Sequence, residues 1–243
     1  MNGLNVLTSN TANEGYFFTP QNIQSEADLV HYLWVTFPLF SSNDIAKVLY
    51  YYQSTNASVN PNDTMYATSG DGGATAVNQS SAGTGQQQRA DDIYGESTFV
   101  CPSYWIAEAY SSSRSGGKGY KFQLSIPPSF HEADLPAYFD HPGHFYSADF
   151  NIAVQRIWGN FITTSNPSIS NAIANGLSTG NVSFNDASAW PPYEIYAPYQ
   201  LNLNTTCPSP KSIDGIVYCQ DPMAVNEIGL VNAYTWEGGR GTR

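Results

Sequence analysis

The stretch GYKFQLSIPPSFH, residues 119–131, sets the fold prediction for this chain. Over residues 120–126, aromatic or aliphatic residues alternate with polar ones, which is typical of a β-strand. Pro127 and Pro128 end this strand because proline has no N–H to donate to a sheet. His131 is therefore predicted to lie in the loop that follows the strand.

A second strand is predicted near the start of the chain. Residues 4–7 form a short apolar run bounded by polar residues, as in strands buried within a parallel sheet. Glu14 falls in the loop after this strand. Loops at the carboxyl ends of parallel strands converge on one crevice, so this loop is a candidate position for chemistry.

The remaining periodicity predicts helices over residues 25–33, 43–52, 102–110 and 146–164. Ser25 and Asn43 are expected to begin the first two. Residues 56–88 are rich in Gly, Ser, Asn, Thr and Gln, and they predict a mobile polar surface excursion. After residue 175, only 225–231 suggests another short regular element. The chain, 1–243, contains no repeats and no sign of a second domain.

The charge balance narrows the class of partner. With 20 acidic and 9 basic residues, the chain has no cationic patch for nucleic acid and no polybasic segment for a membrane surface. No run reaches the roughly 18 apolar residues of a membrane span, and residues 1–20 lack signal-peptide order. Any export signal is expected upstream. No cofactor is predicted.

Two motifs and several shorter matches carry a family resemblance. SNTANEGYFF (residues 9–18) surrounds Glu14, and FHEADLPAYF (130–139) surrounds His131. The shorter matches, in chain order, are DIYG (92–95), FVCP (99–102), GYKF (119–122), IWGNF (157–161), NP (166–167) and WPPY (190–193). Together they resemble the type B carboxylesterases, the cholinesterase-like branch of the α/β-hydrolases. The ending WEGGRGTR (236–243) is similar to secreted fungal members, whereas Glu132 stands where the family commonly has glycine.

The resemblance implies an α/β fold class, with this chain as the C-terminal part of an α/β-hydrolase: the last strands of a mostly parallel sheet, covering helices and long loops. It implies a secreted carboxylic ester hydrolase that acts on a small-molecule ester through a Ser-His-Glu triad and an acyl-enzyme. Glu14 would orient His131 through a hydrogen bond, and His131 would shuttle the proton. The nucleophile and the oxyanion hole are expected outside this chain, so the fragment alone is expected to be inactive. The alternative is a catalytically silent, cholinesterase-like adhesion or binding protein.

Two serines imitate the missing nucleophile. Ser178 lies in GLSTG (176–180), which satisfies G-x-S-x-G but follows His131 and has no strand before it. A third interpretation, an independent small hydrolase, would depend on Ser178. Ser97 follows Gly95 and Glu96, but Phe99 replaces the glycine that a nucleophile turn needs. Residues 70–73, GDGG, are interpreted as flexible loop rather than as an oxyanion hole.

Four further acidic and histidine residues lie near His131 in the sequence and could contribute to a metal site: Asp134, Asp140, His141 and His144. His131 and Glu132 begin like H-E-x-x-H, but Leu135 takes the place of the second histidine. We therefore predict no metal. His31, His141 and His144 are interpreted as surface or hydrogen-bonding residues.

The cysteines and sequons bear on the compartment. Cys207 and Cys219 are close enough in sequence to form a local bridge, and by resemblance Cys101 would pair with a cysteine just past Arg243. The alternative is three buried thiols. Glycosylation candidates, from the N-x-[ST] pattern, are Asn56, Asn62, Asn78, Asn181 and Asn204.

Overall fold

A computed structural model of the chain describes residues 4–52, 85–111, 116–207, 210–213, 216–219 and 226–232. These residues contain six strands: β1 (Asn5–Thr11), β2 (Lys118–Leu124), β3 (Tyr199–Leu203), β4 (Pro210–Ile213), β5 (Ile216–Cys219) and β6 (Gly229–Asn232). The main sheet has the order β1-β2-β3-β6, and β4 pairs with β5 in a separate hairpin. β1, β2 and β3 are parallel, whereas β6 is antiparallel to β3. The predicted parallel pairing of the two strands that precede Glu14 and His131 is confirmed.

The helices of the described residues are α1 (Glu26–Thr36), α2 (Ser42–Tyr51), α3 (Gly85–Gly95), α4 (Cys101–Ser111), α5 (Leu135–Phe139), α6 (Ala148–Thr164) and α7 (Asn171–Ala174). The predicted helices at residues 25–33, 102–110 and 146–164 are confirmed, with ends displaced by a few residues. None of these described helices has both the length and the apolar character that crossing a bilayer requires.

The start of α2 corrects one detail of the prediction. Ser41, not Asn43, caps this helix, because its hydroxyl accepts from the Asp44 N–H while the Asp44 side chain accepts from the Ser41 N–H. This reciprocal arrangement requires the acidic residue three positions after the cap. Ser25 and Asp28 form the same capping box at α1, as the sequence indicates.

Residues 85–88, assigned to the polar excursion, are instead the first turn of α3. Polar side chains of this helix are held by specific partners: Gln87 donates to Asp91 at 3.0 Å, and Arg89, just after the first turn, donates to the Leu49 carbonyl at 3.1 Å. The polar composition of residues 85–88 therefore does not indicate that they begin a packed helix. Residues 56–84 of the predicted excursion lie outside the described residues.

A π-helical segment, Glu96–Val100, joins α3 to α4. Cys101 donates its N–H to the Glu96 carbonyl five positions earlier, directly before Pro102, which has no N–H to donate. The wider turn carries the helical backbone up to the proline. It also places Phe99 against the ring of His131.

β2 is buried on both of its faces. On one face Phe122 and Leu124 pack in the main core with Phe150 of α6. On the other face, Gln123 accepts from Asn10 at 3.1 Å, and the Lys121 ammonium lies 4.2 Å from the centre of the Tyr104 ring in α4. The sheet therefore has helices on both sides, as expected for an α/β protein.

Three strands in the last third of the chain escaped prediction: β3, β4 and β5. β3 is the most consequential because it pairs with β2 inside the sheet. Its sequence, YQLNL, is too short for its alternation to stand out from the surrounding polar residues. The element predicted at residues 225–231 is strand β6.

The structure contains the Cys207–Cys219 disulfide that the sequence indicates. The two Cα atoms are 5.6 Å apart, and the bridge ties the segment after β3 to the end of β5. Cys101 is the first residue of α4 and is partly buried.

Candidate active site

The site is built where β1 and β2 end. In the parallel register Thr11 lies opposite Leu124, so the two strands finish at the same edge of the sheet. Glu14 follows β1 after two residues, and His131 follows β2 after a longer loop. Parallel strands thus bring together two residues that are distant in sequence.

The Glu14 carboxylate is buried, with 6% of its side chain exposed, and both of its oxygens are engaged. Oε1 accepts from the Thr11 N–H at 2.6 Å, and Oε2 lies 2.5 Å from Nδ1 of His131. Since a carboxylate only accepts, Nδ1 is the donor in this pair. The His131 proton is thereby held on Nδ1, and Nε2 is left as the accepting nitrogen.

His131 itself is 30% exposed. No other part of the described chain hydrogen-bonds to its Nε2. A histidine with one nitrogen fixed by a buried carboxylate and the other open can take a proton from an approaching group. The pair has the arrangement required of a general base and its orienting acid.

Aromatic rings enclose the imidazole on two sides. The ring centres of Phe18 and Phe99 lie 5.0 Å and 4.7 Å from that of His131, and Tyr94 stacks on Phe18 at 5.5 Å. The position of these rings around His131 does not follow from local sequence patterns. Phe18 lies within the Glu14 motif and Phe99 within FVCP, so the motifs that carry the resemblance were the available signal.

A cavity of about 450 Å³ lies beside Glu14 and His131. Its apolar wall consists of Phe99, Pro102, Ile106 and Leu135. Its polar residues are Thr8, Ser9, Asn10, Thr98, Ser103, Glu132 and Asp134. A cavity of this size, with one apolar wall and several polar side chains, is suited to a small organic group or a packed side chain.

Gly15 is required by the packing of the acid loop. A Cβ atom at this position would lie 1.9 Å from the carbonyl oxygen of Asp91 in α3. Any other residue would push α3 away from the loop that carries Glu14. The glycine that follows the glutamate is thus explained by close backbone approach.

Glu132 shows how the backbone after the histidine tolerates the absence of glycine. It adopts φ 68°, in the left-handed region, and its carbonyl accepts from the Leu135 N–H at 3.1 Å. The residue is exposed and also lines the cavity beside His131. The turn that glycine would favour is therefore formed with a glutamate in its place.

Neither imitation nucleophile approaches the pair. The Ser178 hydroxyl donates to Asp149 of α6, whose carboxylate also accepts from the Ser178 N–H at 3.2 Å. Ser97 is exposed and donates to the Tyr94 carbonyl at 3.2 Å. The GLSTG stretch therefore anchors a turn to a helix, and the interpretation as an independent hydrolase that uses Ser178 has no support in the geometry.

The acidic and histidine residues considered for metal form other contacts. Asp140 pairs with His144 at 2.7 Å, and Asp134 accepts from Tyr138 at 2.8 Å. Within the residues described, no three His, Cys, Asp or Glu side chains come together as metal ligands. His31 and His141 are exposed, and residues 70–73 lie outside the described part of the chain.

The sequons differ in accessibility. Asn181 is exposed, whereas Asn204 is buried and accepts from the Thr205 N–H at 2.9 Å. Burial argues against a glycan on Asn204. Asn56, Asn62 and Asn78 lie outside the described residues.

Comparison with known proteins supports the fold. A scan of protein-family models and a search of curated proteins both find no match. Among solved structures, the Aspergillus niger esterase EstA superposes with a TM-score of 0.52 at 16% identity, over 82% of this chain and 35% of that one. The Geobacillus stearothermophilus carboxylesterase EST55 superposes with a TM-score of 0.52 at 13% identity, over 96% of this chain and 40% of that one.

The chain thus spans between a third and two fifths of the length of these two enzymes. At such low identity the likeness concerns the fold alone. It confirms the α/β-hydrolase fold class and the resemblance to carboxylesterases at that level.

Proposed function

We propose that this chain supplies the acid and the histidine of a carboxylic ester hydrolase that works through a Ser-His-Glu triad and an acyl-enzyme. The observation that carries the proposal is the 2.5 Å contact between Oε2 of Glu14 and Nδ1 of His131 at the carboxyl ends of parallel strands. The fold shared with EstA and EST55 supports the same chemistry.

In the proposed reaction, Nε2 of His131 takes the proton from a serine hydroxyl as that oxygen attacks the ester carbonyl. The buried Glu14 carboxylate stabilises the imidazolium that results, and the imidazolium returns its proton to the departing alcohol. Water, activated by the same nitrogen, then releases the acid. The proposal assigns the serine and the donors for the oxyanion to sequence outside this chain. Among the described residues, the two serines that resemble a nucleophile motif, Ser97 and Ser178, donate to other partners.

Covalent labelling tests the proposal. The protein that contains this chain, with any coding sequence that precedes Met1, is treated with a fluorophosphonate probe, which reacts with activated serines. We expect labelling of a serine outside residues 1–243, loss of labelling in His131→Ala, and normal labelling in the control His141→Ala, whose imidazole is exposed. Residues 1–243 alone are expected to hydrolyse p-nitrophenyl esters no faster than their His131→Ala variant.

Labelling that survives His131→Ala, or that maps to Ser178, would contradict the triad assignment. A folded protein that takes up no probe at all would favour the catalytically silent binding protein instead. This readout separates the two functions because the probe requires an activated nucleophile and not a particular substrate.

We also propose that the protein is secreted and acts on a small-molecule ester. The Cys207–Cys219 bridge supports an oxidising compartment. The exposed Asn181 supports glycosylation there. A shift in electrophoretic mobility after endoglycosidase treatment, absent in Asn181→Gln, would test this assignment.

A further inference from the structure

The pairing of β1 with β2 continues beyond the ends of both strands, into the loops that carry Glu14 and His131. The Ala12 N–H donates to the Leu124 carbonyl at 3.0 Å, and the Asn13 N–H donates to the Ser129 carbonyl at 2.8 Å. The two donors are adjacent in sequence, but the two acceptors are five positions apart. In the loop that leads to His131, four residues, 125–128, therefore bulge out. At Ser129 this loop pairs again with the loop that carries Glu14.

The Ser129 hydroxyl closes the base of this bulge. It donates to the Leu124 carbonyl at 2.6 Å and accepts from the Ala12 N–H at 3.0 Å. One side chain thus joins the end of β2, the start of the acid loop and the segment that leads to His131. Ser129 is completely buried, so water does not compete for either hydrogen bond.

Asn13 makes further contacts that hold the two loops in the same alignment. The Asn13 side-chain amide donates to the Pro128 carbonyl at 2.5 Å, and Asn13 pairs with Phe130 in an isolated parallel bridge. Asn13 directly precedes Glu14, and Phe130 directly precedes His131. The distance between the carboxylate and the imidazole therefore depends on contacts made by Asn13 and Phe130, the residues that directly precede them.

The backbone of Ser129 is unusual for its residue type. Its φ is 51°, a left-handed conformation that L-residues adopt at an energetic cost. Glycine would adopt it freely but would provide no hydroxyl. The presence of serine at a position whose backbone favours glycine indicates that the hydroxyl is the group required.

We infer that Ser129 is a positioning residue. It holds the loop that carries Glu14 (residues 12–14) and the loop that carries His131 (residues 125–131) in the alignment at which Glu14 and His131 meet. Its importance for catalysis rests on the proposed function, but its effect on the Glu14–His131 contact does not. Removing the hydroxyl would leave the Ala12 N–H bonded to the Leu124 carbonyl alone and would release the Ser129 side chain from both Leu124 and Ala12, so that the bulge could slide. The pair would then lose its close contact although neither partner had been altered.

The test uses the protein that contains this chain, with ¹⁵N-histidine labelling and proton NMR. The Nδ1 proton of His131, held between nitrogen and carboxylate, is expected to give a far-downfield resonance that disappears in His131→Ala. In Ser129→Ala the resonance should move upfield or broaden beyond detection. In the control Ser125→Ala it should stay in place, because the hydroxyl of this buried serine accepts from Gln123 and does not reach the acid loop.

Ser129→Gly serves as the second variant, since it removes the hydroxyl while relieving the backbone strain, and it is expected to fold if Ser129→Ala does not. An unchanged downfield resonance in a folded Ser129→Gly or Ser129→Ala protein would overturn the inference, even if the melting temperature had dropped. If the wild-type protein hydrolyses esters, kcat of these variants should fall about 10- to 100-fold, with KM little changed. The NMR result stands even where no hydrolysis is found, so failure of the proposed function is distinguishable from failure of this inference.

Discussion

Glu14 and His131 are separated by 117 positions in the chain, and their side chains are 2.5 Å apart. No local interaction accounts for this meeting, because the crossover from β1 to β2 includes α1 to α4. The contact depends on the parallel pairing of the two strands and on the loops at their ends. We therefore expect different effects from changes to Glu14, to the residues that pack around the site, and to the serine that resembles a nucleophile.

Replacing the carboxylate should impair chemistry more than binding. Glu14→Gln keeps the size of the side chain but lets an amide donate to Nδ1, which favours the wrong tautomer of His131. We expect kcat for ester hydrolysis to fall by about 10²- to 10⁴-fold with KM nearly unchanged. Steady-state kinetics on p-nitrophenyl butyrate would measure this. The exposed Glu194→Gln is the matched control, and an equal loss in that variant would contradict the assigned role.

Asp91, beneath the acid loop, should make the fold less stable as pH rises. Burial raises the pKa of Asp91 to about 6, although hydrogen bonds from Thr19 and Gln87 act in the opposite direction. Because this carboxyl holds its proton more tightly in the folded state, its contribution is most favourable below its ordinary pKa of 3.8 and is lost as pH rises through 6. The loss amounts to at most about 3 kcal/mol.

Asp91→Asn, which stays neutral, should therefore gain stability relative to the wild type between about pH 4 and pH 7, as measured by urea unfolding at several pH values. Asp28→Asn provides a contrast, since hydrogen bonds from Ser25 lower the pKa of Asp28. Its stability relative to the wild type should fall over the acid range in which Asp28 ionises. The same trend in both variants would refute the role given to burial at Asp91.

The GLSTG stretch should matter for stability and not for catalysis. Ser178→Ala removes a hydrogen bond to the buried carboxylate of Asp149 and should lower the free energy of unfolding by about 1–3 kcal/mol. Probe labelling and ester hydrolysis should persist. The double variant with Asp149→Asn should show a non-additive effect in a double-mutant cycle. Loss of activity in a fully folded Ser178→Ala protein would instead support Ser178 as the nucleophile.

The end of α6 offers a stabilising change. Ser165 caps this helix at φ 60°, a conformation in which glycine is the favoured residue. Ser165→Gly should raise the free energy of unfolding by about 0.5–1 kcal/mol. Ser165→Ala is the control, since it removes the same hydroxyl without relieving the backbone, and it should give no gain. Thermal unfolding of the three proteins decides between these outcomes.

Reduction of the Cys207–Cys219 bridge should loosen the end of the sheet. The bridge closes a loop with a sequence separation of 12, for which chain entropy predicts about 3 kcal/mol. Cys207→Ser with Cys219→Ser should lose a comparable amount in urea unfolding. Peptide mapping of the unreduced protein should recover the linked pair, and the absence of that linked peptide would contradict the pairing.

The sequence predicted those parts of the fold whose signals are local. The alternation in β2, the apolar run of β1 and the spaced apolar face of α6 were sufficient to place the two loops, and the motifs identified Glu14 and His131. β3 was missed because five residues carry too little periodicity, and its place in the sheet is decided by pairing with β2. The role of Ser129 was missed for a similar reason: its partners, Leu124 and Ala12, are defined by the register of two strands.

β2 has one apolar and one polar face, and this difference also fixes its register against β1 when the chain folds. The register in turn determines whether Glu14 and His131 meet. A slip of one residue against β1 would turn Lys121 and Gln123 toward the α6 core and expose Phe122 to the polar layer. It would also move one loop about 3.3 Å past the other, further than any hydrogen bond between Glu14 and His131 would survive. Misregistered chains would therefore be both unstable and inactive. Active-site fidelity is in this way inherited from the folding of the sheet, because the register that buries Phe122 in the core also brings the loops of Glu14 and His131 to the same edge.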